Sequence, residues 1–450
     1  MSGGTFFERK IYQELLEWKE NSSDSYALMI EGARRVGKTT VVKEFAKNEY
    51  RSSILIDFSF VSNEVKSLFE DHLWNLDTFF FRLQSIFNVR LYPRESLIIF
   101  DEVQFYPIAR QAIKHLVADG RYSYIETGSL ISIRKNVERI LIPSEELSIT
   151  MHPMDFEEFL WAQDKHMVVD LIRGSFESRT PLGFESHRSL MALYTMYMLI
   201  GGMPSVVDAY LSKNDPGEVE KAKRAILKLY RDDLMKVTGI TGVNARKIFE
   251  LIPSYLSRHD KSFSPSDVKS KSATRDYLDS VSWLEQSKIV NVCHKCSEPS
   301  PALDMSIDDN SFKMYLLDTG LLMTLALEKN ISDRSDLYGA ILDNKLSLNK
   351  GMFFENMVSQ ELVMSGKGLV FIKFYSEDSD RIQEVDFLIA DGEKVTPIEV
   401  RSSRSSQHAS LDRIVRKYPK SLNSPYVIHS KDLDVRDGVT YIPIYMTMLL

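Results

Sequence analysis

"MIEGARRVGKTT", residues 29–40, decides how the first part of this chain is read. The run "YALMI" (26–30) before it is continuously apolar and bounded by turn residues, which predicts a buried strand. Gly32 and Gly37 stand at phosphate-loop spacing, with Ala33, Arg34, Arg35 and Val36 between them and Lys38, Thr39 and Thr40 directly after. The glycines let backbone N–H groups curl around phosphate oxygens, and Lys38 reaches the terminal phosphates. The Thr39 hydroxyl is placed to bind Mg2+. "TTVVKEFAKN" (39–48) has a helix-forming composition, so a helix N-terminus is aimed at the anion.

Working outward, "SLIIFDEVQ" (96–104) is an apolar strand closing on an acidic pair. Asp101 would orient the water around Mg2+ and Glu102 would polarise the attacking water, the arrangement of a Walker B strand. "SILIDF" (53–58) reads as another strand, with room for a helical insertion before residue 96. "YSYIETGS" (122–129) ends in Thr127-Gly128-Ser129, where a polar side chain can meet the γ-phosphate, although such an ending is also an ordinary turn. "ELSITMHPMDFEEFL" (146–160) supplies a fifth strand and then a helix. Upstream, Ile11, Leu15 and Trp18 recur at helical spacing. Strands alternating with helices predict an α/β fold, a parallel sheet with nucleotide at the carboxyl end of its strands.

"GARRVGKTT", "LIIFDEVQ", "TGS" and "HPMDFEEFL", in this order, resemble prokaryotic AAA+-type P-loop ATPases near the STAND and MNS groups, whose C-terminal half is a domain of unknown function. The resemblance runs over nearly the whole chain. It implies an ATPase core over 1–165, a helical lid over 166–236, a winged-helix-like domain over 237–330 and a restriction-endonuclease-like α/β domain over 331–450. It also implies ATP as ligand, with Mg2+. "GGMP" (201–204) resembles a Gly-x-Pro element that lies against adenine, which makes Pro204 a candidate contact; a plain helix-ending turn is the other reading. Arg134 and Arg139 have the chemistry of an arginine finger, and a solvated helix face explains them equally. Ring assembly is therefore left open.

In the last quarter, Glu355 falls on a helix, "GMFFENMVSQELVM" (351–364). Asp386 and Glu399 fall on two strands, "QEVDFLIA" (383–390) and "VTPIEVRSS" (395–403). Two strand carboxylates with a basic residue two positions on form the pattern of PD-(D/E)xK nucleases, in which the carboxylates hold a divalent ion beside the scissile phosphate. The resemblance implies that nuclease-like fold here. Arg401 stands where an active enzyme has lysine. A guanidinium stays protonated and cannot serve as a base, so the site is read as vestigial. "RSSRSSQHASLDRIVRKYPK" (401–420) holds six Lys/Arg against the single acid Asp412, a phosphate-binding face or a solvated helix.

Composition narrows the rest. With 44% hydrophobic and 26% charged residues the chain is an ordinary globular protein, and 450 residues suggest about three domains. A net charge of −7 excludes a chain coated in base to hold nucleic acid, while leaving a local basic face open. From Lys261 to Lys295 six Lys/Arg face four Asp/Glu, a small excess for DNA, so the middle domain is read as contacting DNA or a protein partner. Cys293 and Cys296 are the only cysteines and lack a second ligand pair at zinc spacing, so "NVCHKC" (291–296) is read as a strand. No leader opens the chain, and "LMALYTMYMLIGGMP" (190–204) is too short and interrupted for a membrane span. A soluble, cytoplasmic protein is expected. Three functions fit: an ATP-driven switch, an ATP-gated DNA-binding protein or metal-dependent nuclease, and a slow-turnover signalling scaffold.

Overall fold

The computed structural model describes residues 6–128, 144–237, 239–263, 274–328, 350–376, 381–402 and 408–450. Two compact units divide the chain, Met1–His152 and Pro153–Leu450.

The first unit is built on five strands: β1 (Ala27–Glu31), β2 (Ser52–Asp57), β3 (Ser96–Asp101), β4 (Ser123–Thr127) and β5 (Glu146–Thr150). Their order is β2-β3-β4-β1-β5 and every pairing is parallel. All five are the strands that the sequence predicts. β1 and β3 read as near-continuous apolar runs because they are covered on both faces, the condition for a parallel sheet, and β4 is buried throughout although it carries Ser123, Glu126 and Thr127. Ile11–Asn21 is the predicted helix, and Ile11, Leu15 and Trp18 are its buried residues. Asn63–Asp71 and Leu76–Phe87 form the helical insertion, each started by a side-chain cap, from Ser62 and Asn75. One core face packs Phe58, Phe69, Phe100 and Tyr106 ring against ring, with Phe58 and Phe100 centroids 5.5 Å apart. That cluster fixes the carboxyl ends of β2 and β3, where the acidic residues stand.

In the second unit, helices come first: Phe156–Trp161, His166–Ser178, Phe184–Ile200, Pro204–Lys213, Pro216–Met235, Gly239–Leu256 and Thr274–Gln286. Among the described residues no single helix is long and apolar enough to cross a membrane; Phe184–Ile200 and Pro204–Lys213 turn through 119° at Gly-Gly-Met-Pro. The turn has a packing cause. A Cβ on Gly201 would meet the buried Asp318 carboxylate, and one on Gly202 would lie 1.9 Å from the Met154 carbonyl oxygen. Asp318 accepts from Gly202 N at 2.6 Å, and Met154 N donates to Gly202 O at 2.7 Å. Pro204 takes the first turn of the next helix, where its missing N–H costs nothing.

The remaining strands form one mixed sheet. They are β6 (Val290–Cys296), β7 (Ile307–Leu316), β8 (Val370–Ser376), β9 (Arg381–Asp391), β10 (Lys394–Val400), β11 (Tyr426–His429), β12 (Asp434–Arg436) and β13 (Val439–Pro443). The order is β12-β13-β11-β10-β9-β8-β6-β7. "NVCHKC" is a strand, as read, with both cysteines buried. It does not stand apart as a wing: β6 pairs with β8, so the middle segment and the C-terminal segment share a sheet. Lys350–Met364 is the predicted helix, locked to the end of β7 by Asn356, which accepts from Leu316 N at 2.8 Å and donates to Leu316 O at 3.1 Å. Helix Ala409–Lys417 buries Leu411 and Ile414 and exposes Arg416 and Lys417, as its spacing predicts. Tyr418, just past its end, packs on the same core.

Candidate functional site

The loop 32–37 leaves β1 and enters the helix Lys38–Glu49. Gly32 has φ +146° and its Cβ position lies 2.2 Å from the Met151 carbonyl oxygen, so no larger residue fits. Gly37, at φ +105°, is the helix N-cap in the left-handed region that glycine tolerates. Ala33 and Val36 are buried, Arg34 is half-buried, and Arg35 and Thr40 are exposed. Lys38 is buried and folds back on the loop, donating to Gly32 O at 2.9 Å and Ala33 O at 3.0 Å. Burial pushes the Lys38 pKa down to about 8, against the opposing pull of Glu102 and Asp101; Arg34 adds to the lowering.

The strand order explains the rest of the site. β4 lies between β3 and β1, so the ends of three neighbouring strands meet. The Thr39 hydroxyl donates to Asp101 at 2.8 Å (Oδ1) and 3.1 Å (Oδ2). Thr127 Oγ1 also donates to Asp101 Oδ1 and accepts from Glu102 N at 3.2 Å. Thr39, Asp101, Glu102 and Thr127 are thus one hydrogen-bonded group at the carboxyl edge of the sheet. A hydroxyl and a carboxylate in contact are hard oxygen donors, a set that suits Mg2+. Glu102 has φ 54° and ψ 45°, a left-handed conformation that an L side chain seldom takes, and Gln104 Nε2 donates to its Oε2. Ser129, Arg134 and Arg139 lie outside the described residues.

In the second unit, Asp386 on β9 and Glu399 on β10 stand one step beyond the paired Phe387 and Ile398. Asp386 accepts from Val400 N at 2.8 Å. Glu399 is buried, pairs with Arg401 and accepts from Ser410 Oγ at 3.1 Å. Burial, reinforced by the Asp386 charge, raises the Glu399 pKa to about 8 despite Arg401. Glu355 accepts from Tyr315 OH and from Lys261. Between these carboxylates sits the ammonium of Lys313, fully buried, 3.2 Å from Glu355, 2.6 Å from Glu384 and 3.8 Å from Asp386. Burial lowers the Lys313 pKa, yet the attraction of Glu384 and Asp386 outweighs it and the net shift is upward. Among the described residues no group of three or more His, Cys, Asp or Glu side chains is set to hold a metal ion.

Residues 24–160 match the family model of an AAA domain. Over that stretch the chain is similar to an AAA domain. Residues 191–333 and 350–447 match two further models, each described as a domain of unknown function (DUF8612 and DUF4143). No curated protein matches the chain. Among solved structures, the Walker-type ATPase paby2304 of Pyrococcus abyssi is similar at 17% identity over 71% of this chain and 96% of its own, with a TM-score of 0.42. Cdc6p from Pyrobaculum aerophilum is similar at 11% identity over 77% and 97%, with a TM-score of 0.28.

Sequence reading of the first unit passed over two residues. Arg9 is buried and donates to Val36 O at 2.9 Å and to His152 O at 2.7 Å, bracing the loop 32–37 against the end of the unit. Gln104 was visible in "DEVQ", but only the fold shows its amide on Glu102. In the second unit Lys261, Lys313 and Glu384 were missed. Lys313 lies within "DDNSFKMYLL", and its acidic partners are 42 to 73 positions away.

Proposed function

We propose that this chain binds Mg·ATP in its AAA domain, hydrolyses it, and acts as a nucleotide-driven conformational switch for its C-terminal half. The observation that carries the reading is the contact of Thr39 with Asp101, which joins the phosphate loop to the acidic strand end in one group. Amides of residues 32–37 would cradle the phosphates, and Lys38 would exchange its two loop carbonyls for phosphate oxygens. Thr39 and Asp101 would hold Mg2+, whose charge offsets that of the bound phosphates. Glu102 would accept a proton from the attacking water while Gln104 fixes its carboxylate. Thr127 keeps Asp101 in place and holds the backbone N–H of Glu102.

The test is ATP hydrolysis by the purified chain with Mg2+. Lys38→Ala is expected to abolish it, and hydrolysis that persists in that variant overturns the assignment. Glu102→Gln is expected to keep ATP binding and to slow turnover by about 10²-fold or more, the usual scale for a lost general base. Equal loss of binding in Glu102→Gln would instead make that residue structural.

A further inference from the structure

The carboxylates of the second unit look, in sequence, like ligands for a divalent ion. A divalent ion bound by them would lie about 2.0–2.6 Å from each oxygen. The point from which Glu355, Glu384 and Asp386 are all within reach is taken by the ammonium of Lys313, at 3.2, 2.6 and 3.8 Å. A metal and this ammonium cannot share it. The surroundings are paired in the same way. Lys261 bonds Glu355, Lys373 stands 3.5 Å from Glu384, and Arg401 pairs with Glu399. Lys373 is shared with Asp260 at 3.0 Å, so five carboxylates face four cations, counting Lys313. Such a group, buried at Glu355 and Glu399 and half-buried at Glu384 and Asp386, is costly unless its charge is met, and here side chains meet it.

We propose that Lys313 is a resident counter-ion: its side chain occupies the cation position among Glu355, Glu384 and Asp386, so this site is assembled without metal, and removing that ammonium turns it into a divalent-cation site. The positioning is built into the fold. Lys313 is carried on β7 beside Tyr315, whose hydroxyl holds the Glu355 carboxylate, and Asn356 pins the Glu355 helix to the end of the same strand. Glu384 and Asp386 come from β9, two residues apart and so on the same face. Lys313 and its partners all lie in the second unit, apart from the residues proposed to hold ATP.

The experiment is Mn2+ titration of the nucleotide-free full chain by calorimetry, with wild type compared to Asp386→Asn, so that uptake elsewhere cancels. Identical titrations are expected. Mn2+ uptake by wild type that Asp386→Asn abolishes would overturn the proposal. The second arm is Lys313→Met, which leaves the three carboxylates facing one another. Its melting temperature is expected to fall, then to rise by about 5 °C or more with saturating Mn2+, while wild type does not move. A Lys313→Met protein as indifferent to Mn2+ as wild type would also overturn it. Should that variant fail to fold, the comparison of wild type with Asp386→Asn decides alone.

Discussion

Lys38 joins the proposed phosphate contact to the cost of burying a charge. Without nucleotide its ammonium is buried, and its proton leaves near pH 8 instead of the ordinary 10.5. The buried charge weakens the nucleotide-free fold below about pH 8, and stability rises as pH passes from 8 towards 10.5, where the unfolded chain holds a proton that the folded one lacks. A polyphosphate laid on the ammonium favours its charged form and lifts the pKa again. ATP binding is therefore expected to take up close to one proton at about pH 9 and almost none at pH 7, where Lys38 is charged in both states. Calorimetry in buffers of different ionisation enthalpy measures this directly. Tight binding at pH 9 with no buffer dependence would mean that Lys38 does not meet the phosphates.

At the scale of elements, the turn Gly201–Pro204 separates two roles that one short motif can carry. Its glycines are explained by packing alone: the Gly202 Cβ position lies 1.9 Å from the Met154 carbonyl oxygen, and Gly202 N is held by Asp318 at 2.6 Å. Gly202→Ala is expected to destabilise the second unit by about 2 kcal/mol or more, because backbone on both sides has to shift. Pro204→Ala keeps a residue that suits a helix start, so little stability should be lost. On the adenine reading that substitution still raises the KM for ATP, and an unchanged KM removes Pro204 from the nucleotide site. Elements like this mark the boundary of what could be read in advance. The strands of the first unit were legible because parallel strands covered on both faces are continuous apolar runs, as in "SLIIF" and "ALMI". The loop 32–37 and the acidic pair stood out by their local spacing, and the structure brings Thr39 against Asp101. Arg9, Gln104 and Lys313 were not, since nothing local marks an arginine 27 positions from the carbonyl it braces or a lysine that finds its carboxylates only across a folded sheet. The register that opposes Asp386 to Glu399 likewise came from pairing, not pattern.

For the whole molecule, the placement of ionisable groups predicts which conditions the fold resists. In the second unit the buried Lys313 and the half-buried Arg231 are met by opposite charge, Arg231 bonding both Glu250 and Glu328 at 2.6 Å. His429 is different. It ends β11, between β10 and β13 in the eight-stranded sheet, and is buried against Tyr441. Burial pushes its pKa down to about 4; Lys431, His187 and Arg436 add to that, and only a backbone interaction with Asp432 opposes it. The unfolded chain takes up a proton at His429 near pH 6.5, and the folded chain does not until about pH 4. Its contribution is thus whole above pH 6.5 and is lost as pH falls through that window, by roughly 3 kcal/mol at the acid end. His429→Leu removes the titrating group while keeping an apolar body beside Tyr441. Urea midpoints measured from pH 7 to 4.5 should then fall less steeply in the variant than in wild type, whatever its stability at pH 7. Parallel slopes would show that the acid sensitivity of the sheet comes from its carboxylates and not from this ring.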